Sequence, residues 1–307
     1  MNETLLLTIL TIVTAATPLV YAAIGELVVE RSGVLNLGVE GMMLGGAVCS
    51  FAVAHYTGSA TLAIVAGLLA GMLLALIFAF LTLSLQSSQV ATGLALTIFG
   101  IGLSALLGQP LVGIAFEGLP GLHIPWLSDL PVLGRLLFSH DALVYGSFVL
   151  VLLVSWFLTR TRAGLVLRAV GDSHGAAHAL GIRVIRVRYL ATLFGGACAG
   201  LGGAYLSLVY TPMWVENMSA GRGWIALALV VFAVWQPGRL LLGAYLFGGI
   251  SILQLHGQAL GINVPSQLMS MLPYLTTILV LVLISRDRGR IRRNAPASIG
   301  QSFYPTT

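Results

Sequence analysis

Apolar residues run through this chain in long unbroken stretches separated by short polar punctuation. Because the stretches are continuous rather than alternating, they read as helices and not as the strands of a membrane barrel. Crossing a bilayer as a helix takes about 20 mostly apolar residues. Nine spans are predicted on that basis, over residues 4–24, 34–54, 60–83, 89–109, 141–159, 189–210, 221–236, 239–257 and 267–285. The expected fold is all-α, a polytopic transmembrane helical bundle forming a single domain over residues 1–307, with no room for a sizeable soluble domain. A half-span or re-entrant piece near 33–45 or 89–100 would alter the count, so broken helices are part of the expectation.

Composition sharpens this picture. The chain is 58% apolar and 8% charged, with a mean hydropathy of +0.98, far from the balance of a soluble domain. Its 37 glycines suit a bundle whose helix backbones approach closely. Met1-Asn2-Glu3-Thr4 leads straight into the apolar run Leu5–Ala23, without a basic leader or a small-residue cleavage motif, so the first span reads as retained. Cys49 and Cys198 both lie in apolar, small-residue segments and are expected as packing residues without a disulfide.

All 15 basic residues are arginine; the chain contains no lysine. A phosphate-binding P-loop requires one, so any ATP used in transport must be bound by another chain. The net charge of +5 reads as loop sidedness rather than as affinity for nucleic acid. Arg160, Arg162, Arg168, Arg183, Arg186 and Arg188 crowd one loop, and Arg286, Arg288, Arg290, Arg292 and Arg293 crowd the tail. Both are expected on the cytoplasmic side. The cytoplasmic loop then covers 160–188 and the cytoplasmic tail 286–307, with the segment 110–140 and Met1 outside. Residues Glu26–Ser32 also fall at the inner face, where pairing of Glu26, Glu30 and Arg31 at a helix end costs little. Thr92–Leu96 and Gly223–Leu227 share a short likeness, a hint of an internal repeat.

Three segments hold candidate chemistry. In the first, Asn36 and Glu40 are spaced to share one face of a helix, either as part of a polar pathway or as a hydrogen-bonded strut. Gln89 and Thr92 open the fourth span and are further pathway candidates. In the second, Leu165, Leu167, Val170, Ala176, Ala177, Ala179 and Leu180 describe a short amphipathic helix with Gly181 as its C-cap. Its apolar face needs a cover, from a partner protein or from the membrane surface. His174 and His178 there make an incomplete metal set. In the third, the turn Tyr210–Trp224 gathers Trp214, Glu216, Asn217, Arg222 and Trp224, as an interfacial aromatic belt, a pathway lining or a docking rim. No G-x-S-x-G, H-E-x-x-H or C-x-x-C motif points to an enzyme.

The segment Glu30–Met43, Glu-Arg-Ser-Gly-Val-Leu-Asn-Leu-Gly-Val-Glu-Gly-Met-Met, resembles the N-terminal signature of bacterial ABC permeases of the branched-chain amino acid and simple-sugar family. The similarity is nearest to the nucleoside-uptake branch. Gly164–Gly171, Ala204–Ser207 with Tyr210, and Trp214–Met218 running into Gly221–Leu229 agree in order, so the resemblance spans about residues 20 to 285. It implies a permease of the bacterial cytoplasmic membrane that does no chemistry and binds no cofactor. It also implies three protein partners: a separate ATPase subunit, a second and related permease, and a substrate-binding protein. By the same resemblance the coupling helix lies around Asp172–Gly181, with Arg168, Asp172, Ala176, Ala177, Leu180 and Gly181 as its coupling residues. The expected cargo is a nucleoside, then a simple sugar, then a branched-chain amino acid. An ion-coupled secondary transporter, with Glu40 as its intramembrane carboxylate, is the rival from another class.

Overall fold

The computed structural model describes residues 3–122, 138–259 and 294–304, with isolated positions between 268 and 282. Those residues form a helical bundle. In chain order the helices are α1 (Glu3–Arg31), α2 (Val39–Thr57), α3 (Ala60–Ala79), α4 (Gln89–Gly108), α5 (Ala142–Arg160), α6 (Arg162–Asp172), α7 (His174–Ala179), α8 (Val184–Tyr205), α9 (Arg222–Phe232) and α10 (Pro237–Ala259). Helices α3 and α8 each run on into one wider turn, Phe80–Ser84 and Leu206–Tyr210.

Among the described residues, six helical stretches are long and apolar enough to cross a membrane: Leu6–Arg31, Ala60–Ser84, Gln89–Leu111, Ala142–Arg160, Val184–Tyr210 and Pro237–Leu255. Nine were expected. The helix α2 falls out because Glu40, its glycines, Ser50 and His55 dilute its apolar content. At 11 residues, α9 is about 16 Å long and reaches only part-way through a bilayer. The ninth expected span, 267–285, apart from isolated positions, and part of the segment 110–140 lie outside the described residues.

Helices α1, α2 and α8 form the interior, with α3, α4, α5, α9 and α10 packed around them. Glycine decides how close they come. A Cβ on Gly200 of α8 would strike the carbonyl oxygen of Gly67 on α3, and one on Gly196 would meet Gly71. Lipid offers no hydrophobic drive between helices, so such backbone contact supplies the packing energy. The outer faces of α3, α4 and α5 expose Leu73, Ile98, Leu106 and Leu152, as a lipid-facing surface does. Both cysteines are free; Cys198 packs against Gly25.

The expected first span stops at residue 24, whereas α1 continues without a break to Arg31. Leu27, Val28 and Val29 are buried, and Glu26 and Glu30 are buried with them at 1% and 2% exposure. These two carboxylates therefore do not make the expected pairing with Arg31 at the helix end. They lie within the protein, and partners from other elements satisfy them. Arg188 departs from expectation in the same way, since it is 1% exposed rather than one of a set of solvated loop arginines.

The glycine contacts generate a matched test. Gly200→Val should sharply lower the yield of folded protein, because the added methyls meet backbone that cannot move aside; overpacking of this kind costs about 1–3 kcal/mol or more. Gly102→Val, where a side chain meets open space, should leave the yield unchanged. Monodisperse protein recovered from solubilised membranes is the readout, and equal yields would refute the packing argument.

Candidate functional site

Residues 32–38 leave the helix after Arg31 and turn back before α2 begins at Val39. Asn36 lies in this link, so it and Glu40 do not share one helical face as the spacing suggests. The reason is local. The Asn36 side-chain oxygen accepts from the amide of Gly38 at 3.0 Å, a turn that competes with helix. Its side-chain and backbone nitrogens donate to the two oxygens of Glu26, at 3.4 and 3.3 Å. Gln89 accepts from the Leu35 amide at 2.8 Å and ties the same link to α4, while its own Nε2 has no partner. Thr92 bonds Ser87 at 2.8 Å, one turn away.

Glu40 stands in the first turn of α2, 3% exposed. One of its oxygens accepts from the Ser219 hydroxyl at 2.6 Å and the Gly221 amide at 2.8 Å; the other accepts from the Gly223 amide at 2.6 Å. A carboxylate from one helix thus caps the N-terminus of another, where unpaired amides and the helix dipole favour negative charge. The approach is so close that a Cβ on Gly223 would lie 2.6 Å from Glu40 atoms. At the far end of α9, Val234 and Trp235 both take the left-handed conformation, with φ of 51° and 52°. For a β-branched residue that is strained. The Trp235 indole donates to Glu30 at 2.6 Å, and its carbonyl accepts from Arg31 at 3.0 Å.

Held in this way, α9 borders a cavity of about 500 Å³. Its walls are α1 at Ala15 and Leu19, Tyr210, the start of α9 at Arg222 and Ile225, and α10 at Phe247, Ser251 and Gln254. The Arg222 guanidinium lies 4.9 Å over the Tyr210 ring and donates to the carbonyls of Met218 and Ser219 at 3.3 and 3.2 Å. Arginine on an aromatic face is a favourable, planar pairing. Of the nine predicted pathway residues only Arg222 lines this cavity. Trp214 is buried elsewhere, against Ala47, Val48, Phe51 and Leu111. Glu216 and Asn217 are exposed on the loop before α9, and Trp224 is part-exposed on its first turn.

The predicted coupling segment resolves into α6 and the six-residue α7, with Gly181 in the left-handed conformation at the end of α7 as expected. Its residues divide between two faces. Leu180 is 82% exposed, and Asp172, Ala176 and Gly181 are also exposed. Ala177 is instead buried against Val170, Val184 and Phe303. Arg168 is half-buried. The chain's own tail covers the inner face. Ser298 bonds the carbonyl of Gly171, Gly300 donates to Gly33 at 3.1 Å, and Arg31 donates to Asn294 at 2.8 Å. Phe303 rests edge-on against both His174 and His178. Buried Arg188 ties this corner together, donating to the carbonyls of Ser32 and Gln301 at 3.2 and 2.9 Å and to Nδ1 of His174 at 3.4 Å.

A family model described as the permease component of the branched-chain amino acid transport system matches residues 8–281. The chain belongs to this family of permeases. It is 43% identical, over 95% of both chains, to TsgC13 of Haloferax volcanii, whose assignment as a glucose ABC transporter permease is itself provisional. It is 34% identical to the nucleoside ABC transporter permease NupC of Lactococcus lactis, over 87% of this chain and 89% of the relative. It is likewise 34% identical to the guanosine ABC transporter permease NupQ of Bacillus subtilis, over 87% and 88%. These relatives are transporter subunits, not enzymes, and permeases of this kind use ATP through a separate ATPase. The permease is a multi-pass membrane protein.

Sequence reasoning missed Ser251 and Gln254. A signal for them exists, since they are polar residues three apart in the otherwise apolar run 240–255 and so fall on one helix face. The tail contacts had no such signal.

Two outcomes test the geometry of the permease. Glu40→Ala orphans three donors, at about 1–3 kcal/mol each, and should markedly lower the melting temperature of the purified protein. Glu40→Gln keeps an acceptor and should lose less; equal melting of all three forms would contradict the cap. The second concerns His174. Partial burial, and then the Arg188 guanidinium, hold its proton affinity below the usual histidine value. Its contribution to stability is therefore present above the unfolded pKa of about 6.5 and lost as pH falls through the lower folded value. Hydrogen exchange at the Ser298 and Gly300 amides should lose protection as pH falls below about 6.5 in the wild type but not in His174→Asn. Unchanged protection in the wild type would remove His174 from the clasp.

Proposed function

We propose that this permease is the membrane-spanning subunit of an ATP-driven importer for nucleosides in the bacterial cytoplasmic membrane. The cavity carries the reading. Arg222 stacked on Tyr210 offers a flat, charged platform for a base, with apolar walls at Leu19, Ile225 and Phe247. Ser251 donates to the Phe247 carbonyl at 3.0 Å, which leaves its oxygen to accept from a ribose hydroxyl; the Gln254 amide both donates and accepts. Partnered hydroxyls are the usual source of selectivity in such a site. The two relatives at 34%, one for nucleosides and one for guanosine, support the same cargo.

The residues assigned to the pathway are Arg222, Tyr210, Ser251 and Gln254. Asn36, Glu40, Gln89 and Thr92 act one layer behind, fixing the link and the helix that present Arg222. Glu216, Asn217 and Trp224 belong to the rim where a substrate-binding protein docks. Leu180, with Asp172, Ala176 and Gly181, presents the ATPase-facing surface of a cytoplasmic coupling loop over 160–188, while Arg168 and Ala177 hold that surface from beneath. The segment 267–285 supplies a further span, and a second, related permease completes the pathway. ATP binding closes the ATPase pair, the coupling helix follows, and the bundle opens to the other side.

A hexose is the second reading, favoured by the 43% identity to the provisional glucose permease. Uptake of radiolabelled guanosine and glucose, with and without this gene and with the neighbouring ATPase inactivated, separates the two. Guanosine uptake that requires both genes is the expected result. Glucose uptake that requires both moves the cargo to sugars, and uptake that survives loss of the ATPase overturns the importer reading. Ser251→Ala should raise the half-saturating guanosine concentration several-fold while leaving the amount of protein in the membrane unchanged.

A further inference from the structure

A second concavity, of about 670 Å³, opens on the outer side of the bundle between α1, α5, α6 and α8. Its lining is wholly apolar or aromatic and includes Leu153, Trp156, Val166, Val187 and Leu190. Leu153, Trp156 and Leu190 keep 54%, 60% and 59% of their surface exposed, so the groove faces outward rather than into the core. One end of it is ringed by arginine. Arg160 lies one helical turn beyond Trp156 on α5. Arg162 lies one turn before Val166 on α6. Arg183 and Arg186 lie one turn before Val187 and Leu190 at the start of α8. Residues four apart on a helix share a face, so Arg160, Arg162 and Arg186 lie on the groove-lining faces of their helices, and Arg183 is the N-cap residue at the start of α8. All four are exposed. Asp172, at the opposite end of α6, is the one acidic residue between 142 and 215.

An apolar trough ending in a ring of cations, with a tryptophan at the boundary, matches one ligand chemistry. The geometry points to a binding site for an anionic phospholipid, its acyl chains in the groove and its headgroup phosphate on Arg160, Arg162, Arg183 and Arg186. Arginine near an anionic lipid surface is favourable, its stem packing on apolar surface while its head reaches the phosphate. Tryptophan prefers the same depth. A second copy of this chain fits less well, because a two-fold contact would bring the same four cations face to face. The site adjoins α6, which leads directly into the coupling helix, so a lipid held there braces the segment that the ATPase must move.

Native mass spectrometry of the full-length permease tests this, using detergent micelles titrated with phosphatidylglycerol or phosphatidylcholine. Retention of phosphatidylglycerol at lower lipid concentration is expected. The double substitution Arg162→Gln, Arg186→Gln should cut that preference by roughly ten-fold or more. Arg239→Gln, on a different loop, should leave it intact and controls for net charge. Leu153→Trp, which fills the groove, should lower retention of both lipids while the protein still elutes as a single species. Equal retention of the two lipids, or a preference untouched by the double substitution, overturns the proposal. So does a Leu153→Cys variant, lacking Cys49 and Cys198, that crosslinks efficiently to another permease in membrane vesicles, since the groove would then belong to a protein interface.

Discussion

A single carboxylate sets the geometry on which the cavity depends. Glu40 binds the start of α9 through Ser219, Gly221 and Gly223 and anchors that end of the short helix. Glu40 can reach it only because the link at 32–38 returns the chain into the bundle before α2 starts. That link is held in turn by Asn36 on Glu26 and by Leu35 on Gln89. Buried carboxylates are costly unless their oxygens are filled. Here neutral donors fill them, and in doing so join four helices at one level. The two segments that resemble one another in sequence, near Gly93 and Gly223, close on this point from two directions: Gly93 packs on Leu37 and Gly223 on Glu40.

The opposite end of α9 is held by α1. Glu30 and Arg31 grip Trp235, and Arg31 also reaches Asn294 at the start of the described tail segment. From there Ser298 bonds Gly171, and Phe303 packs against Ala177 of α7. A contiguous series of hydrogen bonds and packed rings therefore joins the cavity wall to the helix that carries exposed Leu180 at its end. Contiguity alone does not establish energetic coupling. It does show that the two ends belong to one connected frame, with a strained pair of residues, Val234 and Trp235, at its junction.

Much of this fold is legible in the sequence. Continuous apolar runs give the helices, and the span limits of α3, α4, α5 and α10 fall within a few residues of expectation. Hydropathy misled where burial is by protein rather than lipid. The helix α2 lies in the interior, and its glycines and Glu40 leave it short of the apolar content of the six long spans; α1 runs past an expected end at which Glu26 and Glu30 read as the edge of the membrane. Both differences have one origin. A charged residue looks the same in sequence whether water or a partner 10 to 205 positions away satisfies it. The candidate site was legible in part. Arg222 was identified because an arginine beside apolar sequence is expensive. Trp214 was misplaced because a tryptophan near a span end fits a belt as well as a core, and only the glycine at 108 beneath it decides between them. Ala177 and Leu180 have the same apolar character, and nothing local separates the face the tail covers from the face left open.

Among the described residues the cavity has one charged lining residue, Arg222, and a guanidinium stays protonated at any physiological pH. A fixed positive charge in a narrow membrane passage raises the energy of every cation entering it, protons and sodium included. A permease that alternately opens to each side risks discharging the membrane potential with every cycle. If the cargo follows this cavity, as proposed above, Arg222 is an electrical seal: neutral cargo would pass the stacked ring, while the ions that store the cell's energy would be turned away.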